Sequence, residues 1–121
     1  MKTLLLVYNA ATGLGNALLD YAHKVLSPTT YPCHLCALTH HHFGPTQAFQ
    51  EFLKTSPFKL EILHKDEFES AYQQSIVYPA ILFKPENGQL QLIFSSDQIR
   101  TFKTFEELRS ALGEIDFNQF I

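Results

Sequence analysis

From Lys2 to Tyr8 the chain is almost wholly apolar, and Leu4-Leu5-Leu6-Val7-Tyr8 is continuous. With apolar side chains on both sides of the pleat, this run predicts a central strand buried on both faces. Small and polar residues, Asn9-Ala10-Ala11-Thr12-Gly13-Leu14-Gly15-Asn16, then break it. Leu14, Ala17, Leu18, Tyr21, Ala22 and Val25 recur at helical spacing and form one stripe of an amphipathic helix. His23 and Lys24 lie in its last turn, where positive charge suits the helix dipole, and Ser27-Pro28 stops it.

Thr29 to His42 fits two patterns. As a strand it places Cys33, Leu35, Ala37 and Thr39 on one face and His34, Cys36, Leu38 and His40 on the other. As a helix start it brings Cys33 and Cys36 onto one face. Gly44-Pro45 predicts the start of the next helix, because proline's fixed φ and missing N–H suit a first turn. Ala48, Phe49, Phe52 and Leu53 make its apolar side, and Pro57 lies beyond its end.

Phe58 to Ile62 alternates like a half-buried strand, and Phe68, Ala71 and Tyr72 suggest a short helix after it. His64-Lys65-Asp66-Glu67 reads as the polar strand end and the helix cap between them. Ala80 to Phe83 and Leu90 to Phe94 are two strands joined through Pro85 to Gln89, whose Asn87-Gly88 is a hairpin signal. Thr104 and Glu107 make a capping box for a last helix that buries Phe105, Leu108 and Leu112 and ends at Gly113. Ile115, Phe117 and Phe120 give the tail enough apolar surface to dock. Strands and helices in this order predict an α/β fold, a central mixed sheet flanked by helices, with residues 1–121 as a single domain.

The composition agrees. A chain of 121 residues with 45% hydrophobic and 17% charged residues is large enough for one core and too short for two. A formal net charge of −3 leaves no basic footprint for a phosphate backbone, so nucleic acid is not an expected partner. No stretch approaches the roughly 18 apolar residues of a membrane span. The opening apolar run is too short for a signal peptide, so the expectation is a cytoplasmic protein without membrane association.

Both cysteines of the chain lie in one C-x-x-C pair, Cys33-His34-Leu35-Cys36, followed by His40-His41-His42. In a reducing compartment such a pair suits thiol–disulfide chemistry or a metal better than a structural bridge, with two small apolar core residues as the plain alternative. A zinc or copper site would join Cys33 and Cys36 to His40 or His42, since adjacent histidine side chains diverge and at most two could share an ion. The geometry of residues 33–36 decides between these readings. In a strand, three residues at about 3.3 Å each hold the Cα atoms about 10 Å apart. A bridge needs them within roughly 7 Å. At a helix N-terminus they adjoin, and exposed N–H groups stabilise a thiolate. Gly13-Leu14-Gly15-Asn16 invites a phosphate-loop reading but lacks the Gly-Lys-Ser/Thr of a P-loop and the third glycine of a dinucleotide fingerprint, so no cofactor is implied.

Two nearby thiols with a later proline-led strand, Tyr78-Pro79-Ala80-Ile81-Leu82-Phe83, resemble the layout of the thioredoxin-like superfamily. Tyr8 to Asn16 is also similar to the Y-D-G-x-C-G-L-C-N signature of the DCC-type thiol oxidoreductases, with Thr12 and Gly15 where its cysteines stand. Phe43-Gly44-Pro45-Thr46 resembles thioredoxin's C-G-P-C without either cysteine. The first resemblance implies a redox site of Cys33 as the exposed nucleophile, Cys36 as the resolving thiol and a cis Pro79, acting on a protein thiol or disulfide partner. The same fold without redox activity, as a binding or interaction module, is the other reading it leaves open. If residues 32–40 formed a central strand, the site would instead be a polar cleft of Asn9, Thr12, Asn16, His40, His42 and the Tyr78-Pro79 loop.

Overall fold

The computed structural model describes residues 2–9, 33–41, 44–86 and 89–117. The amphipathic helix expected over Leu14 to Val25, the Gly13 to Asn16 loop, His42, Asn87-Gly88 and Phe120 lie outside them. Among the described residues the architecture is α/β, with an open, mixed four-stranded sheet flanked by helices.

Strand β1 (Thr3–Tyr8) is buried at every position, as its uninterrupted apolar run predicts. It lies between two neighbours. Strand β4 (Lys59–His64) runs parallel to it with Tyr8 opposite His64, and β5 (Ala80–Lys84) runs antiparallel with Val7 opposite Ala80. Strand β6 (Gln91–Phe94) pairs antiparallel with β5 and completes the order β4-β1-β5-β6. A register shift at Ile81/Leu82 marks an irregularity in that last pairing. The alternation of β1 splits the interior in two. Leu4, Leu6 and Tyr8 enter the larger cluster, with Cys33, Phe49, Phe83 and Leu108, while Leu5 and Val7 enter the smaller one, around Phe68.

Residues 34–39 are helical, which settles the described part of the ambiguous segment. Cys33 caps α1 (His34–Thr39), and the chain then forms a two-residue strand β2 (His40–His41) paired antiparallel with β3 (Gly44–Pro45). The next helix therefore starts later than Gly44-Pro45 suggests. Gly44 adopts φ 116°, a conformation glycine tolerates, and lets Pro45 reach His40 across the ladder. Thr46 becomes the N-cap of α2 (Gln47–Thr55), its hydroxyl accepting from Phe49 N–H at 3.2 Å. Phe49 and Phe52 are buried as expected, but Leu53 is exposed.

Helix α3 (Lys65–Tyr72) follows β4 directly and is held at its start by Glu67, whose carboxylate accepts from His64 N–H at 2.8 Å and meets His64 Nδ1 at 2.8 Å. These hydrogen bonds, the backbone one first, hold the Glu67 carboxyl below the usual glutamate range. The sequence reading does not anticipate α4 (Ser96–Arg100). Its signal is Ser95-x-x-Gln98, a capping box in which Ser95 Oγ accepts from Gln98 N–H and Gln98 Oε1 accepts from Ser95 N–H. Helix α5 (Phe105–Gly113) buries Phe105, Leu108 and Leu112. Thr104 caps it, but Glu107 reaches back to Lys103 N–H, one residue earlier than a capping box requires. Ile115 and Phe117 of the tail pack on the larger cluster.

Candidate redox site

Cys33 and Cys36 are joined as a disulfide, with Cα atoms 5.3 Å apart. The helix start makes this possible, because one turn returns residue i+3 to the face of residue i. Two backbone N–H groups converge on Cys33 Sγ, that of Cys36 from inside the turn and that of Asn9 from the end of β1, each at 3.3 Å. Both are donors with partial positive charge aimed at one sulfur, an arrangement that stabilises a thiolate when the bridge opens. Lys65, the first residue of α3, donates to Asn9 Oδ1 at 3.5 Å and brings a cation to the same end of the sheet.

The Tyr78–Pro79 peptide is cis and leads into the antiparallel strand β5, as the family resemblance implies. Extending the β1–β5 register by one residue sets Pro79 opposite Tyr8, next to the Asn9 that reaches Cys33. The structure thus brings the sequence-derived Cys33, Cys36 and Pro79 to one end of the sheet. It departs from expectation on access. Cys33 is 0% exposed and Cys36 8%, so Cys33 is not the exposed thiol that the resemblance implies. The cause is its cap position. The Cys33 side chain turns inward under the helix it starts, into the cluster with Leu4, Leu6 and Tyr8.

A buried polar chain lies beneath α1. Thr39 Oγ1, 0% exposed, donates to Leu35 O at 3.0 Å. Thr39 Oγ1 also lies within hydrogen-bond distance of Tyr8 OH at 2.9 Å and of His40 Nδ1 at 2.8 Å, so the three side chains form one connected polar chain. The His40 ring sits edge-on to Tyr8, with centroids 5.9 Å apart. On the outer side of α1, His34 Nε2 donates to Phe102 O at 2.6 Å, tying the helix that carries the cysteines to the turn after α4. Thr39 and Lys65 are the members of this surrounding shell that the sequence reading does not single out for chemistry. Lys65 carried a signal, a cation at the end of a strand parallel to β1, whereas Thr39 carried none.

Burial pushes Tyr8 up to about 12 from its ordinary 10.0. Below pH 10 both folded and unfolded chains hold the proton and this contribution to stability is complete. Above it the unfolded chain ionises first, and the contribution is lost as pH rises through about 12. Urea midpoints measured between pH 9 and pH 12 are therefore expected to fall, and Tyr8→Phe is expected to flatten that fall. An unchanged slope in Tyr8→Phe would show that Tyr8 does not carry it.

His40 Nδ1 lies 2.8 Å from Thr39 Oγ1. Among the described residues no three of His, Cys, Asp or Glu gather as ligands, and His42 lies outside them. The polar-cleft arrangement required a strand at 32–40, and the helix at 34–39 removes its premise. Among the described residues no helix is long and apolar enough to cross a membrane. No family model matches the chain, and no curated protein or solved structure is significantly similar to it.

Proposed function

We propose that this protein is a thioredoxin-like dithiol–disulfide couple that exchanges electrons with a thiol partner through Cys33 and Cys36. The observation that carries the reading is the bridge at a helix start, with Cys33 Sγ on two N–H donors, at the end of the sheet that holds the cis Pro79. The order of elements supports it too. A parallel β1–β4 pair followed by an antiparallel hairpin and a helix agrees with the α/β order, closed by a hairpin and helix, on which the resemblance rests.

The two sulfurs differ in ways that set the direction of attack. An incoming thiolate meets Cys36, the more exposed, and forms a new S–S bond to its Sγ. The Cys33–Cys36 bond breaks and its electron pair stays on Cys33 Sγ, where the N–H groups of Asn9 and Cys36 stabilise the charge. A better-stabilised leaving thiolate departs faster. A second thiolate then attacks the external sulfur of the mixed disulfide and frees Cys36. Two external thiols become one external disulfide, and the protein becomes a dithiol. In reverse, Cys36 attacks a partner's disulfide and Cys33 resolves the product. These roles are the opposite of those expected from the resemblance.

Equilibration with mixtures of reduced and oxidised glutathione, read by alkylation of free thiols, tests the proposal. The bridge is expected to open and close reversibly in a two-electron transition while circular dichroism stays native. The full burial of Cys33 favours a second reading, a binding module with a fixed bridge. Reduction only on unfolding would select that reading and reject the first.

A further inference from the structure

On the same face of the sheet as the disulfide but near the other end of β1 lies a separate cavity of about 190 Å³. Leu4 and Asn9 are five residues apart on one extended strand, so roughly 16 Å separates the two places. Leu4, Phe52, Phe58, Leu112 and Phe117 supply an apolar lining between α2, α5 and the tail. Phe58 and Phe117 meet edge to face, with centroids 4.7 Å apart, and make one firm wall. Arg109 is the only charged side chain among the lining residues.

Among the described residues the Arg109 guanidinium has a single long hydrogen bond, Nη2 to Thr55 Oγ1 at 3.4 Å, and no ion pair. A guanidinium has five N–H donors in a planar fork that matches a carboxylate. An apolar chamber with one under-used cation beside it and no acid in its lining is complementary to a molecule with an apolar body and one negative head. We propose that this cavity binds a small monocarboxylate, its hydrocarbon body inside and its carboxylate on Arg109. At about 30 Å³ per water the space equals roughly six waters, which suits an apolar body of about six to eight carbon atoms. The proposal is independent of the redox reading and uses none of its residues.

The test is titration of the intact protein with sodium octanoate and, separately, with 1-octanol, followed by amide chemical shifts. Octanoate is expected to perturb residues around Phe52, Phe58 and Leu112 and to bind the wild type more tightly than octanol does. Because Arg109 is exposed and its replacement removes no core contact, Arg109→Gln is expected to stay folded. It should weaken octanoate about five- to tenfold, the range of a lost charge-assisted hydrogen bond near water, and leave octanol unchanged. Equal affinities for octanoate and octanol in the wild type, shifts confined to another region, or no loss in Arg109→Gln would each overturn the proposal. A change in sedimentation of Arg109→Gln without octanoate binding to the wild type would assign the face to a second copy and overturn it as well.

Discussion

Cys33→Ala is expected to leave a Cys36 thiol that forms a stable mixed disulfide with oxidised glutathione in the folded protein, whereas Cys36→Ala leaves Cys33 nearly silent. Two effects oppose each other at Cys33. Its N–H donors favour the thiolate and survive in Cys36→Ala, because both are backbone groups. At neutral pH that gain is only a few-fold, since a more stable thiolate is also a weaker nucleophile. Burial acts the other way. With Cys33 0% exposed, reaction needs a local opening, and an opening free energy of about 3 kcal/mol slows it roughly 100-fold. Access wins over acidity. Mass spectrometry of glutathione adducts over time gives the ratio of the two rates directly. A faster adduct at Cys33 than at Cys36 would restore the conventional assignment of nucleophile and resolving thiol. No adduct on either variant before unfolding would leave the bridge structural.

Phe68→Ala is expected to cost about 3–5 kcal/mol, the largest loss from any single substitution on the smaller face of the sheet. Phe68 is fully buried and is the one α3 side chain that is. It spans Leu5, Val7, Ala80 and Leu82 from β1 and β5, stacks on Tyr72 at 5.3 Å and meets Tyr78 edge-on at 6.1 Å. Truncation leaves a cavity that neither strand can close, because both are fixed by their ladders. For a domain with about 5–15 kcal/mol in all, this approaches global unfolding. Urea unfolding measures it, with Phe68→Leu expected to lose less than about 1.5 kcal/mol because it keeps most of the volume. A loss under about 1 kcal/mol in Phe68→Ala would mean that α3 is not anchored by this ring. Tyr78 meets the Phe68 ring, so the same substitution is also expected to loosen the loop before β5 without altering the bridge.

The four strands of the main sheet were legible because each carries a local signal. The apolar run of β1, the alternation of β4 and the paired runs of β5 and β6 need no distant partner to be recognised. The burial of Phe105, Leu108 and Leu112 follows from their spacing, and the cis Pro79 from its place before a buried strand of a hairpin. Leu53 and the start of α2 were misplaced for physical reasons. Helical spacing says which residues share a face but not how far the core extends. Gly44-Pro45 also suits a bridge when His40 and His41 lie opposite.

The short segment 33–39 shows where local reading ends. Its residues alternate as well for a strand as they wind for a helix, and only packing under Tyr8 and against the turn at Phe102 selects the helix. Local pattern was enough for an α/β chain with a central buried strand, a cysteine pair at a spacing that permits a bridge and a proline at the head of β5. Tertiary structure alone decided that the pair is bridged, that Asn9 at the end of β1 donates to Cys33, and that Cys33 is sealed while Cys36 is nearer the surface. Spacing along a chain fixes which atoms can meet. Solvent access and convergent donors depend on what the rest of the chain places around them.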